Sequence, residues 1–191
     1  MIEATGRIES ATEQGSGRIF WISSPLTPEL KPDQSLSHDG VCLTVEQVAD
    51  SQYRVTAILE TLQKTNLATW QVGNNINLER CMQLNGRLDG HIVQGHVDAR
   101  GKCTSVETKE GSWEYTFSFP SSFASLMIEK GSICVNGISL TCFNVTNSTF
   151  KVAIIPFTYE HTNMRDVKEN SLVNLEFDVL GKYIQRNLSL K

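Results

Sequence analysis

The sequence has little with which to hold a polyanion or a membrane. Its 17 Lys and Arg are scattered among 21 Asp and Glu, for a net charge of −4, and no basic cluster marks a nucleic-acid or anionic-lipid surface. No apolar run approaches the ~20 residues of a membrane-spanning helix, and the N-terminus carries no signal-peptide apolar core. Low-complexity tracts are absent. The five cysteines, at 42, 81, 103, 134 and 142, are odd in number and show no C-x-x-C spacing. Reduced thiols in a cytoplasmic protein are therefore expected, and the sequons at Asn144 and Asn147 are then unused. Gly15-Ser-Gly17 lacks the remaining glycine of a dinucleotide fingerprint and reads as a turn. With 40% hydrophobic and 20% charged residues, the composition is that of an ordinary globular chain.

What the sequence does have is a stretch that occurs twice. Ser35-Leu-Ser-His-Asp-Gly-Val-Cys-Leu-Thr-Val45 returns 97 residues later as Ser132-Ile-Cys-Val-Asn-Gly-Ile-Ser-Leu-Thr-Cys142. In the same register, residues 55–61 match 152–158, Thr65-Asn66 matches Thr162-Asn163, and 76–79 match 173–176. Several blocks in one register mean an internal duplication, which divides the chain into two domains of roughly 95 residues each. Residues 2–8 also match 97–103, so the second half starts near Gly95. The expected division is 1–94 and 95–177 for the two repeats, with 178–191 as a C-terminal helix.

Within each half, a short strand (residues 2–8 in the first) leads to a glycine-bearing turn and then an aromatic strand. Trp113, Tyr115, Phe117 and Phe119 alternate with polar residues, the period of a half-buried strand, and residues 18–22 are the weaker counterpart. Pro25, Pro28 and Pro32 keep residues 24–34 out of a sheet interior, allowing a short helix from Pro28; residues 121–129 read as its more helical counterpart. The duplicated block reads as one buried strand and 53–59 as the next. Residues 65–70 follow as a helical turn and 76–80 as the last strand. About six short strands per half close most economically into a small barrel, which leaves no open edge. In residues 178–191, Val179, Leu180, Tyr183, Ile184 and Leu188 fall at helical spacing. That stripe needs a partner, either its own barrel or other copies of the chain.

The motifs Asp39-Gly-Val-Cys-Leu-Thr44 and Asn136-Gly-Ile-Ser-Leu-Thr141, together with Asn77-Leu-Glu-Arg80 and the linker Leu88-Asp-Gly-His-Ile-Val-Gln-Gly-His-Val-Asp98, resemble the riboflavin synthase (lumazine-binding) family over essentially the whole chain. The resemblance implies an all-β fold of two tandem six-stranded Greek-key barrels plus a C-terminal α-helix. It implies a homotrimer joined through those helices, and lumazine synthase is a candidate partner. The implied reaction is a dismutation of two 6,7-dimethyl-8-ribityllumazine molecules. One donates a four-carbon unit to the other, giving riboflavin and 5-amino-6-ribitylamino-uracil, with no metal or organic cofactor. The implied site lies between the first barrel of one chain and the second barrel of its neighbour. Two departures stand out. Met1 takes the place of the Ile in the family opening Met-Phe-Thr-Gly-Ile, a segment that in the family touches the ligand, and Asp89 stands where Gly is common.

By family matching, Cys42, Leu43, Thr44, Thr56, Ala57, Ile58, Leu59, Glu60 and Thr61 are expected to contact substrate at the first barrel, and Ile2 is a further expected contact. At the second, the expected contacts are Gly95, His96, Val97, Lys130, Ser139, Leu140, Thr141, Ile155, Pro156, Phe157, Thr158, Tyr159 and Glu160. The chemistry removes a proton from the C7 methyl of one lumazine and adds a nucleophile to C7 of the other. Positions where the halves differ are therefore informative: Cys42 against Ser139, His38 against Val135, and His96 against Met1. His96 is the candidate acid/base; Cys42, Ser35 and Thr141 are candidates for positioning or proton relay. Read alone, Cys42 would be a buried strand cysteine; within the duplicated motif it reads as a ligand contact. His91 and His96, five apart on a continuous strand, face opposite sides and share no metal. His91 reads as a structural hydrogen-bonding residue, His161 as surface, and Glu79 and Glu176 as structural residues at the barrel ends. A non-catalytic lumazine or flavin carrier of the same fold is the alternative, disfavoured because both copies keep the Gly-φ-[Cys/Ser]-Leu-Thr pattern (φ apolar). A purely structural barrel repeat leaves the paired polar motif unexplained.

Overall fold

The computed structural model describes residues 2–190. The first sheet contains β1 (Ala4–Gln14), β2 (Gly17–Ser23), β3 (Ser35–His38), β4 (Val41–Thr44), β5 (Gln47–Ala49), β6 (Gln52–Ala57) and β7 (Asn75–Arg80). The second contains β8 (Ala99–Lys109), β9 (Ser112–Ser118), β10 (Ser132–Val135), β11 (Ile138–Phe143), β12 (Thr149–Ile154) and β13 (Leu172–Phe177). Short helices α1 (Leu59–Lys64) and α2 (Pro156–His161) follow β6 and β12, and α3 (Val179–Leu188) closes the chain.

The second sheet is a closed barrel in the order β10-β11-β12-β9-β8-β13. The first runs β4-β3-β7-β1-β2-β6-β5, the same circuit once β4 and β5 are taken together. These two end strands are separated only by Val45 and Glu46, and the Glu46 N–H donates to Arg54 O at 2.9 Å. One bent strand, interrupted at those residues, thus closes the first sheet on itself. Alternation fills both interiors: β6 buries Tyr53, Val55 and Ala57, while Phe117, Phe150 and Val152 are among the fully buried residues of the second core. His38 is sealed inside the first barrel. Its Nδ1 lies 2.8 Å from Leu36 O and its Nε2 3.0 Å from the Tyr53 hydroxyl, and burial holds it down at about 4. It is neutral and out of reach of any ligand.

Four local expectations change. The duplicated block is not one strand but a hairpin in each half, β3–β4 and β10–β11, turning at Asp39-Gly40 and Asn136-Gly137. All four turn residues have positive φ, 47° and 79° in the first and 47° and 81° in the second, which is the two-residue type I′ geometry that Asp-Gly and Asn-Gly favour. The strand expected over 53–59 ends at Ala57, because Ile58 becomes the residue preceding α1. The opening strand runs later and longer than residues 2–8, from Ala4 through Gln14. Residues 121–129 form only a 3-10 helix, Ser121–Leu126.

The two hairpin turns meet back to back. A Cβ on Gly40 would lie 2.7 Å from Gly137 N, and one on Gly137 would lie 2.9 Å from Gly40 N. Around this contact the polar groups pair with twofold pseudosymmetry. Asn77 Nδ2 donates to Asn136 O and Asn174 Nδ2 to Asp39 O, both at 2.9 Å. The Asn163 N–H donates to Asn77 Oδ1 at 2.8 Å, and the Asn66 N–H to Asn174 Oδ1 at 2.7 Å. Each turn's side chain is capped in the same way, by Asn77 N–H on Asp39 Oδ1 and Asn174 N–H on Asn136 Oδ1. Every one of these residues is buried, where an unmade hydrogen bond costs about 1–3 kcal/mol.

Two predictions follow from this contact. Gly40→Ala should destabilise by roughly 2–4 kcal/mol, combining left-handed strain with a backbone clash. Gly15→Ala, also at positive φ but with open space around it, should cost only about 1–2 kcal/mol; equal urea midpoints for the two variants would contradict the close approach. Asp39 is the one carboxylate in the network, and burial pushes it up to about 7 despite bonds from Asn77 and Asn163. A folded-state pKa above the ordinary 3.8 makes its contribution most favourable at low pH and progressively lost between about pH 4 and pH 7. Asp39→Asn keeps the acceptor and removes the charge, so its stability relative to the parent should rise across that window and level off above it. Parallel pH profiles of the two urea midpoints would refute this.

Candidate functional site

The chain between β7 and β8 forms no strand, and it is the part that builds a site. Gly95 lies along the outer edge of β4, accepting the Cys42 N–H at 2.8 Å. A Cβ at Gly95 would come within 2.9 Å of Cys42 Cβ, and one at Gly90 within 2.6 Å of Ser139 Oγ. The linker therefore crosses both hairpins at the twin positions Cys42 and Ser139, using a glycine at each crossing.

Two further contacts hold it there. The N–H groups of Gln94, Gly95 and His96 converge on the Glu176 carboxylate at 2.6, 2.9 and 3.0 Å. Burial raises the Glu176 carboxyl above the usual range, while these donors and Lys182 act in the opposite sense. Farther back, the His91 N–H donates to Ser139 Oγ at 3.2 Å, and the His91 ring Nδ1 sits 2.7 Å from the same oxygen. Because 91–96 is irregular rather than a strand, the opposite-faces argument for the two histidines does not apply. Among the described residues, no cluster of three or more His, Cys, Asp or Glu could hold a metal.

A cavity of about 690 Å³ lies between the linker and the first barrel. Ser35, Ser37, Cys42, Glu79, Arg80, His91 and Ser139 line it. Arg80 is clamped by Glu3, at 3.0 Å from Nε, and by Glu29, at 2.7 Å from Nη1, so its charge is already matched. The cavity wall offers hydroxyl, thiol and carboxylate groups, and Arg87 adds an exposed guanidinium held only loosely by Asp89, at 3.9 Å.

Of the candidate residues, this cavity brings together Ser35, Cys42 and Ser139. Thr44, Thr56 and Thr141 lie on outer barrel faces and do not themselves line it; Thr56 donates to Glu46 at 2.9 Å. Leu43 and Ala57 point into the first core, so only their backbones could meet a ligand. Leu140 packs against the second core. Ile58, Leu59 and Glu60 are exposed at the start of α1 and Thr61 is half-buried; Ile155, Pro156, Phe157 and Glu160 are exposed at α2, with Thr158 half-buried. Glu60 is tied to Lys64 at 2.8 Å. Tyr159 stacks on Trp113 at 3.8 Å, and Lys130 stands 5.3 Å above the Phe143 ring. His96 is exposed, anchored through its backbone. Val97 packs on the first core, and Ile2 reaches the Gly137 turn. Met1 lies outside the described residues, so the pairing of His96 with Met1 has no structural counterpart here. Ser37, Glu79, Arg80 and His91 also line the cavity, although none was among the expected contact residues; Glu79, Arg80 and His91 fall within motifs that carried the resemblance.

Glu176→Gln should loosen the linker, because the new amide turns a donor toward backbone N–H groups that need acceptors. We expect a loss of about 2 kcal/mol and faster hydrogen exchange at residues 94–96. Unchanged exchange there would remove Glu176 as the anchor.

The sequence profile of the lumazine binding domain matches the chain twice, over residues 1–81 and 94–178. The riboflavin synthase of Actinobacillus pleuropneumoniae is 36% identical over 192 residues, covering 100% of this chain and 89% of that protein. The Bacillus subtilis riboflavin synthase is 36% identical, with 98% and 88% covered, and that of Mycobacterium bovis 38%, with 97% and 95%. Among solved structures, LumP complexed with riboflavin aligns at a TM-score of 0.87, and LumP complexed with 6,7-dimethyl-8-(1'-D-ribityl) lumazine at 0.84. Both are 16% identical over 92% of this chain and 96% of that one, a likeness of fold. With the domain matched in both halves and relatives aligned along nearly its whole length, the chain belongs to the lumazine-binding domain family, that of the riboflavin synthases.

Proposed function

We propose that the protein is a riboflavin synthase. Two molecules of 6,7-dimethyl-8-ribityllumazine would react, one passing a four-carbon unit to the other, to give riboflavin and 5-amino-6-ribitylamino-uracil. The observation that carries this reading is identity to riboflavin synthases along nearly the full length of both repeats. The site agrees with it. A reaction between two copies of one molecule suits a duplicated barrel, and holding both in register replaces a chance encounter with an oriented one.

In this reading, Ser35, Cys42 and Ser139 read the polar edge of a lumazine, with Thr44, Thr141 and the residues opening α1 and α2 completing the contacts. His96 serves as the acid/base and Thr141 as a relay. The productive site forms between the first barrel of one chain and the second of a neighbour in a homotrimer. The exposure of Leu180, Tyr183, Ile184 and Leu188 on α3 supports that assembly, since such a stripe gains most from burial against its copies. A cytoplasmic location belongs to this reading; among the described residues no helix is long and apolar enough to cross a membrane. The alternative is a carrier that binds lumazine without turnover, a reading favoured by the LumP complexes sharing the fold.

Incubation with 6,7-dimethyl-8-ribityllumazine should yield riboflavin and the aminouracil in equal amounts. Binding without products would favour the carrier, and no binding would sink both. His96→Gln should lower kcat by about 10²-fold or more if His96 moves the proton; unchanged turnover would remove it from that role.

A further inference from the structure

We propose that His91 holds the Ser139 hydroxyl as a one-way hydrogen-bond donor, aimed at an acceptor atom (a ring carbonyl or imine nitrogen) of a heteroaromatic ligand in the cavity. This deepens the synthase reading and rests on it for the identity of the ligand.

Hydrogen-bond valence carries the argument. A serine oxygen has two lone pairs and one proton. The His91 backbone N–H, at 3.2 Å, occupies one lone pair of Ser139 Oγ. The ring Nδ1, at 2.7 Å, either donates to the second lone pair or takes the serine proton, and the tautomer decides which. The other ring nitrogen settles it. His91 Nε2 is buried and, among the described residues, has no hydrogen-bond partner. A proton placed there would be an orphaned donor, which folded proteins tolerate less well than an under-used acceptor. The favoured neutral tautomer therefore carries its proton on Nδ1. Burial lowers the imidazole's affinity for a second proton, and the imidazolium would carry Nδ1–H as well. With Nδ1 donating, both lone pairs of Ser139 are filled, and only its O–H remains to be used.

Sterics set the direction of that proton. The linker backbone closes one side of Ser139, where a Cβ on Gly90 would meet Oγ at 2.6 Å. Ser139 and His91 both line the cavity, so the remaining O–H turns into it. The carbonyl and imine edge of a pteridine-dione offers the acceptors this donor requires. Cys42, the twin of Ser139 in the first barrel, presents only a thiol, a weak donor. The two repeats thus differ in the strength of the hydrogen bond they offer to the same ring edge.

Two measurements test this. Long-range 1H–15N NMR of the unliganded protein should show His91 protonated at Nδ1; protonation at Nε2 alone would overturn the proposal whatever the ligand. Titration with 6,7-dimethyl-8-ribityllumazine should show Ser139→Ala and His91→Phe each weakening binding by about fivefold to tenfold. The double variant should be no weaker than either single one, and His91→Asn, whose amide can donate in place of Nδ1–H, should stay within about twofold of the parent. Additive losses, or unaltered binding by His91→Phe, would overturn the proposal. Should the parent chain bind no lumazine, the functional reading fails, and the NMR result still decides the tautomer.

Discussion

The backbone contact between the Asp39-Gly40 and Asn136-Gly137 turns is the constraint on which the rest of the structure depends. Two barrels could be joined by a linker alone and left to move independently. Here the turns approach so closely that neither accepts a Cβ, and close approach strips water from every peptide group nearby. Asn77 and Asn174 replace that water, each accepting one bond and donating others across the interface. The arrangement is cooperative, since removing any member leaves its partners buried and unmatched. Cys42 and Ser139 lie three residues beyond Asp39 and Asn136. The same turns that join the barrels therefore also place the two side chains that face the linker.

Much of this was legible in the sequence because duplication makes it so. The 97-residue register marks Asp39 and Asn136, Asn66 and Asn163, and Asn77 and Asn174 as equivalent pairs, and all six meet at the pseudo-twofold axis. Alternation along β6 and β9 announced half-buried strands, and the last-turn stripe announced α3. The hairpin at Asp39-Gly40 was missed for a physical reason. Leu36 and His38 before the turn and Val41 and Leu43 after it are all buried, so inward-facing residues recur through the whole block, and periodicity alone places no turn between them. The Asp-Gly and Asn-Gly dipeptides were the available signal. The interruption at Val45 and Glu46 had no such marker, as it depends on how β4 bends to reach β6.

The site was less legible than the fold. Family matching named residues by position along strands, but a strand has two faces, and Leu43 and Ala57 turned out to face the core. The contribution of His91 depends on an irregular segment lying across the second hairpin, a tertiary arrangement that local spacing does not encode. Glu176 illustrates the same limit. Its place at a barrel end was visible from the repeat, whereas its three bonds to the linker backbone arise only once the linker turns back over β13.

A duplicated site that must treat two identical ligands differently has to break its own symmetry somewhere, and where it does so is instructive. The interface keeps its pairs: Asn faces Asn, Gly faces Gly, and the hydrogen bonds match to within about 0.1 Å across most of the network. Departures concentrate where a side chain could meet solvent or ligand, as with Cys42 against Ser139 and Glu60 against Phe157. Asp39 against Asn136 and His38 against Val135 are buried exceptions, and the first places a charge difference within the symmetric region itself. The Asp39 carboxylate accepts an extra bond from Asn163 Nδ2 at 2.9 Å, beyond the bond that Asn163 Nδ2 makes to Asn75 O at 3.3 Å and its twin Asn66 Nδ2 makes to Leu172 O at 3.4 Å. A single substitution thus adds one bond on one side of the axis and leaves its paired neighbours in place. The barrels are joined symmetrically enough to be rigid and asymmetrically enough to be distinguishable, and both properties come from the same turn.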